Sequence, residues 1–284
     1  MADRIVLLGT KGGPALRVPG RMPTANLVEL GGRSIVVDCG LGVTLRLVEA
    51  GFDLRQLDVI VITHLHSDHL LELGPLLLTA WTTGLTRKVT VFGPKGTDAY
   101  WQAFLQSMSF DLNIRESDEG RARLADLVEV RTISEGTLLD DPALSIAAIR
   151  VEHPPVIDCF AIRIENSHHV ITFSADTCHF PPLADFAKGS DILVHEAMLP
   201  QAVDALVERT GLGDALRNHL HASHTTAEDA GRIAAAAGVR RLVLNHLVPP
   251  DDARFTEADW LKAARTHFDG PVDLGRDGLE IPLN

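Results

Sequence analysis

A chain of 284 residues with 45% hydrophobic content can bury a large core, and its formal net charge of −12 argues against an electrostatic grip on nucleic acid, which needs clustered Lys and Arg. Cys39, Cys159 and Cys178 are odd in number and widely spaced, so reduced thiols are expected rather than a disulfide framework. Residues 5–8 are apolar but quickly ended by Gly9, too short a run for a signal peptide, and no apolar run reaches spanning length; one cytoplasmic domain over residues 1–284, with no membrane partner, is expected.

Taken in chain order, short β-rich runs at residues 4–8, 26–30 and 34–38, parted by turns such as Gly12-Gly13-Pro14 and Gly31-Gly32, predict an opening meander. Residues 59–62 predict a strand, and residues 70–81 a helix with Leu70, Leu71, Leu73, Leu76, Leu77 and Trp81 as its core face. A strand at 88–92 follows, before Gly93-Pro94. Further strands are expected at 146–152, 160–164, 170–174, 192–194 and 241–245, the last preceded by a helix capped by Thr225 and Glu228 and ended by Gly238. Residues 211–222, with His219 and His221, read equally as an exposed polar loop or as a lid carrying substrate contacts. Interleaved strands and helices give a layered α/β organisation.

Between the strand at 59–62 and the following helix lies Thr63-His64-Leu65-His66-Ser67-Asp68-His69, with three imidazoles and a carboxylate in six consecutive positions. A lone histidine beside a strand is ordinarily structural. Three on a turn, where side chains can converge, read as a metal site: imidazole suits zinc and similar ions, and the carboxylate could serve a second ion. His153, Asp176, Glu196 and His246 each follow an apolar run, so with His64 five strand ends point to one edge. Sites of helix-flanked sheets lie outside such strand ends.

The H-x-H-x-D-H signature of His64, His66, Asp68 and His69, with the later His153, Asp176 and His246, resembles the metallo-β-lactamase superfamily of dinuclear metallohydrolases. Leu8-Gly9-Thr10, Val37-Asp38-Cys39-Gly40, Phe92-Gly93-Pro94, Ser174-Ala175-Asp176-Thr177, His195-Glu196-Ala197 and Ser223-His224-Thr225-Thr226-Ala227 are most similar to its ribonuclease Z branch. The resemblance implies a four-layer αββα sandwich of two mixed β-sheets. It also implies one ion on His64, His66 and His153, a second on Asp68, His69 and His246, and Asp176 bridging both. Two Zn2+ with a bridging hydroxide are expected, Mn2+ or iron being alternatives. Asp38 would support the site, Asp68, Glu196 and His224 would be catalytic, the latter two in proton delivery to the leaving group, and the protein would be a homodimer.

Three departures qualify the resemblance. Only Glu165-Asn166-Ser167-His168 stand where the branch inserts its tRNA-gripping arm, Ala175 replaces the usual Gly, and Leu247-Val248-Pro249-Pro250-Asp251-Asp252 replaces a Ser and an Arg after His246. With the acidic charge, these favour a small-molecule substrate over tRNA. A phosphodiester is the leading expectation, with a carboxylic ester, aryl sulfate, lactone or β-lactam as the alternative. An iron-dependent redox enzyme and an inactive binding module are further classes, although an inactive module would be expected to have lost ligands and all seven positions are filled. Cys178 reads as a small packing residue, and His168, His169 and His179 as non-ligands.

Overall fold

The computed structural model describes residues 3–16, 20–211 and 213–283. Its elements run β1 (Arg4–Gly9), β2 (Ala25–Leu30), β3 (Arg33–Val37), α1 (Val43–Glu49), β4 (Val59–Val61), α2 (Ser67–Leu70), α3 (Leu73–Thr83), β5 (Val89–Gly93), α4 (Thr97–Ser107), α5 (Ser109–Glu119), α6 (Leu124–Leu127) and β6 (Val128–Thr132). They continue with β7 (Gly136–Asp140), β8 (Ser145–Arg150), β9 (Phe160–Glu165), β10 (Val170–Phe173), α7 (Pro182–Phe186), β11 (Ile192–Met198), α8 (Pro200–Thr210), α9 (Gly213–Ser223), α10 (Ala227–Ala237), β12 (Arg241–Val248), α11 (Glu257–Ala264), β13 (Val272–Leu274) and β14 (Leu279–Pro282).

Two seven-stranded sheets result, in the orders β14-β1-β2-β3-β4-β5-β6 and β13-β12-β11-β10-β9-β8-β7. Both are mixed. The first is parallel from β3 through β6, and the second is parallel through β10, β11, β12 and β13. Apolar side chains from both, among them Ile5, Val37, Val61, Ile162, Ile171 and Val243, fill the space between the sheets. The outer face of the first sheet is covered through Leu47, Leu76, Trp81 and Trp101, and that of the second through Leu183, Ile233 and Trp260. Burial on both faces explains the near-continuous apolar runs of the central strands. The four-layer αββα sandwich of two mixed sheets is therefore the observed architecture.

Local chemistry sets the connections. Gly31 and Gly32 turn β2 into β3 with φ of 57° and 77°, the left-handed region that glycine enters without a Cβ clash. Asn166 turns β9 into β10, its Oδ1 accepting from the N–H groups of His168 and His169 at 2.9 and 2.8 Å, so a tight turn joins these two strands and no longer arm is inserted between them.

The structure corrects several expectations. Leu71 is 47% exposed, because the helix is broken after Leu70 and restarts at Leu73. The cap before α10 is Thr226, which accepts from Asp229 N–H, one residue beyond the expected Thr225–Glu228 pair; Thr225 instead donates to the Thr177 carbonyl. Residues 213–223 form a helix, not a loop. Strands β11 and β12 extend to Met198 and Val248, so Glu196 and His246 lie inside strands rather than just beyond them. Elements α11, β13 and β14 follow what was expected to be the final strand.

Candidate metal centre

The parallel portions of both sheets deliver their strand ends to one edge. There the backbone is forced into an unusual form: the non-glycine residues with positive φ among the described residues are Asp38 (67°), Ala175 (57°) and His246 (39°). Each lies in or beside the cluster of candidate ligands, and strained backbone of this kind persists where surrounding structure over-determines it. His246 owes its aim to a bulge. Glu196 pairs with Asn245 and Ala197 with Leu247, leaving His246 without a partner in the register. An extra residue of this kind bends the strand and redirects a side chain.

All seven expected ligand residues converge. Nδ1 of His66 lies 3.0 Å from Nε2 of His64 and 3.2 Å from Nε2 of His153, and both Nε2 atoms are 3.8 Å from Asp176 Oδ2. On the other side, Asp68 Oδ2 is 3.6 Å from His69 Nε2 and 3.4 Å from His246 Nε2. The two Asp176 oxygens complete that group, Oδ1 at 3.4 Å from His69 Nε2 and Oδ2 at 3.1 Å from His246 Nε2. Donor atoms thus fall into a set of His64, His66, His153 and Asp176 and a set of Asp68, His69 and His246, with Asp176 between them. His224 also comes within reach, grouped with Asp176 and His246.

The rings are oriented from behind. Asp38 Oδ2 holds His69 Nδ1 at 2.7 Å, Thr63 Oγ1 lies 3.1 Å from His64 Nδ1, and the Ser223 carbonyl accepts from His153 Nδ1 at 2.8 Å. In each case Nε2 is left facing the cluster, the arrangement that a hydrogen-bond partner on the other ring nitrogen imposes on metal-binding histidines. Gly13 N–H donates to Asp68 Oδ2 at 2.7 Å. Gly12 lets the same loop lie against β12, since a Cβ there would fall 2.5 Å from Val248 Cγ2 and 2.7 Å from Cε1 of His246. The Gly12-Gly13 stretch reads in the sequence only as a turn; Ser223 carries no signal in this role because any residue can present a carbonyl, and Thr63 carries none because a single hydroxyl beside a histidine is common.

The donor set fits a metal. His69 Nε2 and Asp176 Oδ1 are buried with no hydrogen-bond partner, an arrangement that is costly without a cation between such groups. Electrostatics agrees. Burial opposes charge on Asp176, yet His246 and His69 hold its carboxyl well below the usual range; burial opposes charge on His69, yet Asp176, Asp38 and Asp68 hold its imidazole well above it. Burial, reinforced by His69, pushes His64 well down.

Glu196 Oε2 and His224 Nδ1 are 2.8 Å apart, and Glu196 Oε1 accepts from Thr177 N–H. Burial and the Asp176 charge push the Glu196 carboxyl well up, whereas burial pushes the His224 imidazole down despite Asp176 and Asp68. The expected non-ligands lie elsewhere: His169 faces Asp191, His179 faces Asp229, and Cys178 contacts Glu152.

A family model described as Anti-Pycsar protein Apyc1 matches residues 4–246. Ribonuclease Z of Mycobacterium sp. (strain KMS) is 34% identical over 275 residues, which are 96% of this chain and 93% of that protein. Ribonuclease Z of Mycobacterium marinum (strain ATCC BAA-535 / M) is 32% identical over 96% of each chain. The metallo-β-lactamase fold protein YhfI from Bacillus subtilis superposes with a TM-score of 0.71 at 22% identity, and the short form of human tRNase Z with 0.69 at 21%, both over 99% of both chains. By these matches and its fold, the chain belongs to the metallo-β-lactamase superfamily, within the Anti-Pycsar protein Apyc1 family and close to ribonuclease Z.

Proposed function

We propose that this protein is a metal-dependent hydrolase, loaded with two zinc ions, that cleaves a small phosphodiester. The observation that carries the reading is the convergence of seven donor residues into two sets joined by Asp176. Relatives named ribonuclease Z, at 34% identity, support phosphodiester chemistry. A divalent pair, when bound, lowers the pKa of water toward neutrality and polarises a phosphoryl oxygen.

The chain's own residues do the rest. His64, His66, His153 and Asp176 would hold one ion, and Asp68, His69, His246 and Asp176 the other. Asp38 and the Ser223 carbonyl keep the rings of His69 and His153 in place. Glu196 shares a proton with His224, and His224, which borders the cavity over the cluster, delivers a proton to the departing oxygen.

A small substrate is favoured over tRNA by the acidic charge and by the tight turn from β9 to β10. No helix among the described residues is long and apolar enough to cross a membrane, and we propose that the protein acts in the cytoplasm as a homodimer. The deciding experiment pairs metal analysis with a panel: a chromogenic phosphodiester, carboxylic ester, aryl sulfate and lactam, and a precursor tRNA. Zinc near two per chain and turnover of the phosphodiester, weakly dependent on salt, are expected. Efficient salt-sensitive tRNA cleavage would overturn the small-substrate reading. Lactam, aryl sulfate or carboxylic ester turnover alone would replace phosphodiesterase activity with the alternative hydrolase, and iron as the bound metal with none of the panel hydrolysed would favour the redox enzyme.

A further inference from the structure

A cavity of about 400 Å³ opens directly over the donor cluster, with Asp68, His224 and His246 among its floor residues. One wall is the α8–α9 pair. Leu216, Leu220 and Ser223 recur at helical spacing on α9, and the C-terminal end of that helix is tied to the site by Ser223, which takes His153 Nδ1 on its carbonyl and donates through Oγ to the Pro154 carbonyl at 2.5 Å. Leu220 and Val248 join Met198, Val203 and Val207 in a small apolar cluster beneath the pair. Leu206 and Leu216 pack only partly on that cluster, and both line the cavity. Val248, Pro249 and Pro250 extend the apolar lining from the end of β12.

The polar side of the cavity is as informative. Asp68 and Asp176 line it, and among the described lining residues Lys11 is the one Lys or Arg, its Nζ donating to the carbonyls of Gly12 and Gly13 at 3.2 and 2.6 Å. Away from the donor cluster the described residues of the α8–α9 wall present Leu206, Leu216 and Leu220 with only Thr210 and His219 as polar side chains, and Lys11 is already engaged by two carbonyls. An anion seated against the Leu and Pro surfaces would therefore lose hydration without an opposing charge held for it.

We infer that the wall formed by Leu206, Leu216, Leu220, Val248, Pro249 and Pro250 recognises an uncharged, ring-sized apolar group, so that the preferred substrate is a phosphodiester carrying one such group and no second anion. This rests on the phosphodiesterase reading and sharpens it. The phosphate lies at the cluster while the ester group leaves water against Leu and Pro surfaces, and cavities of this size and lining are typical of small-ligand sites.

The test holds the leaving group constant and varies the other ester group. Methyl, phenyl and 4-carboxyphenyl 4-nitrophenyl phosphates are compared by kcat/KM in the zinc-loaded protein, each divided by its rate in alkali. The phenyl ester is expected to exceed the methyl ester by roughly thirty-fold, on the scale of burying one apolar ring, and the carboxylate should remove most of that gain. Leu216→Asn and Leu206→Asn should each bring the phenyl-to-methyl ratio toward one. Because the ratio is internal to each preparation, partial loss of folded protein does not alter it. Equal values for phenyl and methyl esters, or an unchanged ratio in both variants, would overturn the inference while leaving phosphodiesterase activity standing. Hydrolysis of none of the three would overturn both.

Discussion

Asp38 Oδ2 lies 2.7 Å from Nδ1 of His69, while its Oδ1 accepts from Thr63 N–H at 2.8 Å, so one carboxylate joins the ends of β3 and β4 to a candidate ligand. Asp38→Asn preserves volume but removes the charge that aims the ring. The ion shared by Asp68, His69 and His246 should then bind about 10–100-fold more weakly, the usual scale for such partners, while the ion at His64, His66 and His153 is retained. A chelator competition titration would resolve the two ions, and equal weakening of both would contradict this assignment.

Metal binding should also respond to pH in a definite direction. Burial opposes charge on His69 but the surrounding aspartates hold its imidazole above the ordinary histidine range, so a proton on that ring in the metal-free protein is expected to be displaced to solvent when a metal cation takes Nε2. Affinity therefore rises with pH until the raised value is passed. Calorimetry in buffers of different ionisation enthalpy should detect proton release on zinc binding, and zero release would refute the protonated state. Chelation should abolish activity, zinc or manganese should restore it, and Asp176→Ala should lose more than one ion because its two oxygens face both donor sets.

Much of this site was legible in the sequence because its donors are of few residue types and follow apolar runs. The strand ends before His64 and Asp176 needed only that pattern. His246 was harder, since Leu242, Val243 and Leu244 are all buried and leave no period from which a bulge could be read. Helix α9 is obscured by Gly213, Asn218 and three residues with hydroxyl or imidazole side chains near its end, and its apolar face acquires meaning only against Val203 and Val207. Strands β6 and β7 sit at sheet edges with no residue buried and most exposed, so no apolar-in, polar-out alternation marks them in the sequence. The cation-poor, apolar character of the cavity likewise emerges only when Leu206, Leu216 and Pro250 are brought together by tertiary packing.

Ala175 offers a test of backbone strain. Its φ of 57° is left-handed, and a Cβ there costs on the order of 1 kcal/mol, whereas glycine avoids the clash but loses more chain entropy on folding. Ala175→Gly should therefore be neutral to stabilising by roughly 1 kcal/mol or less, with metal content unchanged. Ala175→Val, β-branched at the same φ, should destabilise by more than that and displace Asp176. Thermal melts with parallel metal analysis check both, and a valine variant as stable and as fully loaded as the parent would show that this turn is not strained.

The 2.8 Å contact between Glu196 and His224 yields the last prediction. Burial and the Asp176 charge favour a proton on Glu196, burial disfavours a second one on His224, and the pair can thus supply one proton to a departing oxygen. His224→Ala should reduce turnover by roughly a hundredfold or more for an alkoxide leaving group, the range for general acid catalysis. For 4-nitrophenolate, which leaves without a proton, the loss should be smaller. Glu196→Gln should show the same dependence on leaving group with a milder loss, because glutamine can still hold the ring but cannot share the proton. Since His224 also stands within reach of Asp176 and His246, metal content is measured in both variants. Unchanged metal with equal losses for both leaving groups would exclude His224 as the proton donor, and loss of an ion would make it a ligand.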